Sequence, residues 1–129
     1  MKKIIQLSFM LLCSCMLHAQ VLKFCNAVNS DGTLKGESTS FIIEKGDEIC
    51  FYVTTNSSAS FNTSKLKYKI YTIDLLDGEV YDNTIEQDIK EDWGWAWRGI
   101  IFNRADSYKV YVYNGRDELL ASGTIKIIF

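Results

Sequence analysis

The sequence predicts an all-β protein, an antiparallel sandwich of about seven to nine short strands. Two observations carry that prediction. Apolar and polar residues alternate with period two through most of the chain beyond residue 20, as in Lys65-Leu66-Lys67-Tyr68-Lys69-Ile70, and the runs are rich in Val, Ile, Tyr, Phe and Thr. Turn-forming clusters separate these runs at intervals of roughly eight to twelve residues, and no segment has a convincing helical period. The chain has no proline, no internal repeat and no low-complexity run.

The first twenty residues, MKKIIQLSFMLLCSCMLHAQ, stand apart from this pattern. Two lysines, an apolar run and a small-residue exit form a secretory signal, with cleavage expected after Ala19 and Gln20 as the new N-terminus. The apolar core is shorter than the roughly 20 residues that span a bilayer. Residues 12–15 also resemble a degenerate lipobox, and only lipidation of Cys15 would tie the protein to a membrane. The expected division is therefore a signal peptide over 1–19 and one β-domain over 20–129, placed in the periplasm, at the cell surface or outside the cell.

Strands are expected over 21–28, 40–44, 48–55, 65–73, 79–81, 84–90, 95–102, 107–113 and 118–128. The first and third gain support from Leu22 and Phe24, and from Ile49, Phe51 and Val53, each set sharing one face that should meet the core. Turns are expected at 29–32, 45–47, 77–78 and 114–115. Asn114-Gly115 is the strongest hairpin signal, since both central residues of a type I′ turn need positive φ.

Cys25 and Cys50 are the thiols left after the signal. In an oxidising compartment they are expected to pair, and a loop of about 26 residues gives roughly 3.5 kcal/mol in the chain-entropy model. Both fall on the outward face of their strands, so a bond between them needs neighbouring strands of one sheet. A redox role has no Cys-x-x-Cys spacing to support it.

The run from Ala105 through Asn114-Gly115 to Ile127 resembles the closing hairpin of bacterial secreted immunoglobulin-like domains. Residues 42–53, with Gly46-Asp47 in their turn, are similar to the early strands of such domains. The resemblance implies an immunoglobulin-like sandwich and says little about function, because many binding and structural modules share that pattern.

Candidate chemistry is sparse. Trp93, Trp95 and Trp97 fall at alternate positions followed by Arg98, which in a strand lines three indoles along one face. They are candidate binding residues, as a platform for sugar rings or an interface anchor. The structural alternative has at least one indole plugging the core, and that is the expectation here. Lys65, Lys67 and Lys69 share a face and are expected to be solvated or to protect an edge strand. Acidic residues cluster at Asp74, Asp77, Glu79 and Asp82 and again at Glu86, Asp88, Glu91 and Asp92, without the spacing of a calcium loop.

The one histidine, His18, lies within the signal. Its loss removes Ser-His-Asp and Cys-His sites and histidine-bound zinc, so no catalytic residue, metal or cofactor is assigned. Removal of Lys2 and Lys3 takes the formal charge from −2 to −4, which speaks against nucleic acid as a partner. The expected function is a non-catalytic binding or structural module, most readily for another protein. A carbohydrate-binding module using the Trp platform is the alternative, and an inhibitor presenting residues 56–64 as bait is a third. Strand addition at a sheet edge is open to any such sandwich.

Overall fold

The computed structural model describes residues 20–55 and 58–129, and every regular element in it is a strand. The signal-peptide and Cys15 assignments lie outside the described residues. In chain order the strands are β1 (Val21–Cys25), β2 (Ala27–Val28), β3 (Leu34–Lys35), β4 (Ser40–Ile42), β5 (Glu48–Thr54), β6 (Lys65–Asp74), β7 (Gly78–Asp88), β8 (Trp95–Ile101), β9 (Asp106–Asn114) and β10 (Leu119–Ile128). They form a three-stranded sheet in the order β1-β5-β8, a five-stranded sheet in the order β4-β10-β9-β6-β7, and a small β2-β3 hairpin.

Period-two burial drives the two main sheets together. Ile49, Phe51 and Val53 of β5 and Leu22 and Phe24 of β1 meet Leu66, Tyr68 and Ile70 of β6 and Val110 and Val112 of β9 in one apolar core. Phe51 sits at its centre, edge-on to Phe24 at 5.1 Å and to Tyr68 at 6.0 Å between ring centroids. Tyr108, near the start of β9, donates its hydroxyl to the Arg104 carbonyl at 2.5 Å. That bond is the tyrosine corner found where the chain passes between the layers of an immunoglobulin-like sandwich.

Several elements depart from the sequence expectation. The first run breaks at Asn26, whose N–H bonds to the Lys35 carbonyl, so residues 27–35 leave the sheet as the β2-β3 hairpin. The interruption at Asp82-Asn83 is no turn. Ile70 pairs with Asn83 and Tyr71 with Tyr81, so Asp82 is the extra residue of a β-bulge within one continuous β7. β4 runs parallel to β10, the exception among antiparallel pairings. Asn114-Gly115 does not form a two-residue turn: Asn114 ends β9, its side-chain oxygen accepts from the N–H groups of Arg116 and Glu118, and Asp117 supplies the positive φ. An Asn side chain that closes its own turn substitutes for the left-handed geometry expected of the pair.

Candidate functional site

The tryptophans lie on β8 and the loop before it, and none is buried. Trp93, Trp95 and Trp97 are 39%, 37% and 43% exposed, while Ala96 between the last two is 3% exposed and packs inward. The expected core indole is therefore absent, because alternation gives the inward seats to Ala96 and Ile100 and the outward ones to Trp95 and Trp97. Arg98 belongs to the other face from the indoles. It opposes the core residue Phe51 across the ladder, and its charge acts on Tyr68, so it does not extend the Trp surface. Adjacent residues of a strand point to opposite faces, which separates Arg98 from Trp97.

The three indoles are not equivalent. Trp95 packs against Tyr52, centroids 5.9 Å apart, and the turn at Gly32 lies on it so closely that a Cβ there would come within 3.2 Å of the indole. Gly32 has φ +86°, and together these constraints favour glycine at that turn. Trp95 thus anchors the β2-β3 hairpin to the outer face. Trp93 and Trp97 remain to flank a cleft of about 470 Å³ that Gln87, Asp92, Gly94, Trp95 and Ala96 also line.

Gln87 lines that cleft, and it had no signal in the sequence beyond its place in an alternating run. The Tyr68 hydroxyl donates to Gln87 Oε1 at 2.7 Å, and Gln87 Nε2 donates to the Trp97 carbonyl at 2.8 Å. A fully buried tyrosine of one sheet is thereby bridged to the rim strand of the other. Burial holds the Tyr68 phenol far above its ordinary pKa, so it acts as a hydrogen-bond donor across the neutral range.

Cys25 and Cys50 face each other directly across the β1-β5 ladder. No disulfide joins them in this structure, and both residues are buried instead of facing solvent. The β2-β3 excursion covers them: Cys50 Sγ donates to the Asn26 carbonyl at 3.7 Å, and Lys23 reaches Glu37 at 3.9 Å from the covering segment. Desolvation, with some help from the neighbouring thiol and Glu37, pushes Cys25 up to about 11, and desolvation also raises Cys50. Thiols held this far above neutrality are poor nucleophiles and poor metal ligands.

The lysine row and much of the first acidic cluster are engaged locally. Lys65 pairs with Glu86 at 3.1 Å, Lys67 with Asp117 at 2.8 Å, and Lys69 lies 4.7 Å from the Tyr113 ring centre. β6 is an interior strand, so these lysines protect no edge. Asp74 accepts the N–H groups of Leu76 and Asp77, which hold its carboxyl below the usual range, and Glu79 accepts the Tyr111 hydroxyl. Among the described residues no group of three or more His, Cys, Asp or Glu is placed to hold a metal ion. The β6-β7 turn instead exposes Leu75 and Leu76 almost completely. The paired leucines between two aspartates were the available sequence signal for that apolar tip.

No family model matches the chain, and no curated protein matches it. Among solved structures it is similar to an immunoglobulin-like protein from Pseudomonas aeruginosa, with a TM-score of 0.51 and 13% identity over 82% of this chain and 90% of that one. It is also similar to the soluble domain of PmoD from Methylocystis sp., with a TM-score of 0.50 and 13% identity over 84% and 90%. The fold is immunoglobulin-like. A superoxide reductase (neelaredoxin) variant from Ignicoccus hospitalis aligns more loosely, with a TM-score of 0.47 and 7% identity over 90% and 85%. At such identities the likeness is one of fold alone. In immunoglobulin-like terms, β1-β5-β8 is the A-B-E layer and β8 occupies the place of strand E.

Proposed function

We propose that this chain is an exported, non-catalytic binding module whose partner is another protein, engaged through the rim of β8 and the cleft beside it. The observation that carries the reading is the pair of exposed indoles, Trp93 and Trp97, flanking an open cleft on an outer strand. Large aromatic side chains left in water at one place are characteristic of interface anchors. Export rests on the lysine-led apolar segment of residues 1–19. The non-catalytic part rests on the lack of histidine beyond His18 and on thiols that stay protonated at neutral pH.

A carbohydrate-binding role is the second reading, favoured by the same exposed indoles. It is weakened by Trp95, which is engaged by Tyr52 and Gly32, so that the three rings do not offer one free platform. The test is a side-by-side titration of the folded domain with a glycan panel and a displayed peptide library, with Trp97→Ala and Trp93→Ala as controls. Peptide retention that falls at least tenfold in either variant supports protein binding. Trp-dependent retention of glycans without peptides transfers the function to the second reading, and turnover of any offered substrate defeats both.

A further inference from the structure

We propose that the partner supplies an extended peptide that pairs with β8 as a fourth strand, placing an apolar side chain in the cleft lined by Trp93 and Trp97 and a lysine or arginine beside Asp92. This inference rests on the protein-binding reading above and names its mode.

The backbone of β8 is the first support. Thr55 N–H donates to the Gly94 carbonyl and Phe102 N–H to the Asp47 carbonyl, so the even-numbered residues turn their polar groups inward toward β5 and its flanks. Alternation then turns the N–H and C=O groups of Trp95, Trp97, Gly99 and Ile101 outward. Among the described residues no strand lies on that side, where the Trp97 carbonyl accepts from Gln87 Nε2. Apart from that carbonyl, the outward groups of β8 have no partner strand among the described residues, and such a rim is a template for another chain.

The layers give the second support. Three strands cover five, and the β7 end of the larger sheet lies next to the rim of β8, as the Gln87 bridge shows. In a four-stranded immunoglobulin layer, strand D pairs with strand E on this side. Here the chain runs from β7 to β8 through residues 89–94 and supplies no such strand. An added strand would therefore extend β8 in a direction the architecture already accommodates, above Gln87 and the half-buried Ile85.

The other rims are less suited. β1 is engaged on its outer side, where Ser38 N–H donates to the Phe24 carbonyl. β4 has only three residues, and β7 carries the Asp82 bulge and a row of carboxylates, devices that discourage pairing. In the cleft itself Asp92 is the one charged lining group, which selects a basic side chain on the peptide.

The experiment selects random seven-residue peptides displayed on phage against the wild-type domain. The best binder is resynthesised in three forms: unmodified, N-methylated at alternate residues along one edge, and N-methylated along the other. A strand bonded to β8 presents one edge to it, so one methylated form should lose about a hundredfold in affinity and the other should keep it within about threefold. Asp92→Asn should weaken the binder several-fold, and norleucine in place of its basic residue should abolish that sensitivity. Equal tolerance or equal loss for the two methylated forms overturns strand pairing while leaving protein binding intact. Failure to enrich any peptide above the Trp97→Ala background overturns the inference. Protein binding then stands if a benzoylphenylalanine placed at position 97 cross-links a folded partner, and falls with the inference if it does not. Concentration-dependent dimers that Ile101→Pro abolishes would assign the rim to a second copy and also overturn it.

Discussion

Removing the Gln87 side chain should cost more than removing the hydroxyl it serves. In Gln87→Ala the Tyr68 hydroxyl, 2.7 Å from Gln87 Oε1, is left without a partner on a residue of 0% exposure. An unsatisfied buried donor costs about 1–3 kcal/mol. The Trp97 carbonyl also loses its 2.8 Å bond from Gln87 Nε2, but it sits on an outer strand where water takes over at little cost. In Tyr68→Phe the donor itself is gone, and the half-buried Gln87 amide is rehydrated. Only the net worth of one hydrogen bond, about 0.5–1.5 kcal/mol, is then lost. Gln87→Ala should thus be destabilised by about 1 kcal/mol more than Tyr68→Phe, and the double variant should be no less stable than Gln87→Ala alone. Urea unfolding followed by far-ultraviolet circular dichroism measures all three. A Tyr68→Phe cost equal to or above that of Gln87→Ala, or strict additivity in the double variant, would refute the bridge as the tie between the sheets.

Three further outcomes follow from the packing. Gly123→Ala should destabilise by about 1 kcal/mol or more, because its Cβ would lie 3.0 Å from a Phe24 ring already edge-on to Phe51, and overpacking of this kind costs about 1–3 kcal/mol; a melting temperature at or above wild type contradicts that. Stability should be flat through neutrality and fall in alkali. Folding favours the protonated forms of Cys25 and Tyr68, so their contribution is whole below the unfolded values of 9.0 and 10.0 and is lost as pH rises through the folded ones, beginning with Cys25 at about 11. Unfolding titrations between pH 8 and 12 should therefore show Tyr68→Phe losing less stability than wild type, and parallel curves would count against it. Finally, prolonged treatment of the folded domain with a thiol oxidant such as diamide at alkaline pH, where the buried thiols ionise, should join Cys25 to Cys50, detected by mass spectrometry as a loss of about 2 Da, since an opposed pair in an antiparallel ladder has Cα atoms about 5.5 Å or less apart. Thiols that stay fully alkylatable after denaturation would exclude that bond.

How much of this molecule was legible in its sequence depended on the range over which each feature is decided. Period-two patterning is local, and it placed Ile49, Phe51 and Val53 in the core and most strands within a few residues. The Asp82 bulge is nearly local, but one extra residue in a ladder looks like a turn until its partner strand is known. The cysteines were placed on an outward face, as period two requires, and still came out buried, because residues 26–38 double back over that face and no periodicity announces such a cover. Arg98 was grouped with the tryptophans by adjacency along the chain, whereas in a strand adjacency means the opposite side.

The rim of β8 was the least legible feature, and for a different reason. Nothing within residues 93–101 says whether a neighbour lies beside them. That depends on the chain passing directly from β7 to β8 and so leaving three strands against five. The tryptophans acquire meaning only in that setting. On an interior strand, alternating indoles outside and alanine inside would be a covered face; on an outer strand they frame exposed backbone, with Gln87 holding the rim to the second sheet and Asp92 charging one end. Alternation keeps the indoles out of the core, and among the described residues no strand pairs with the outward backbone groups of Trp95, Gly99 and Ile101 beside them, so an aromatic anchor and a hydrogen-bonding template coincide at one place. A partner that used only one of the two would forgo part of the available interaction, which is why an extended chain with an apolar side chain suits this rim better than a flat ring alone.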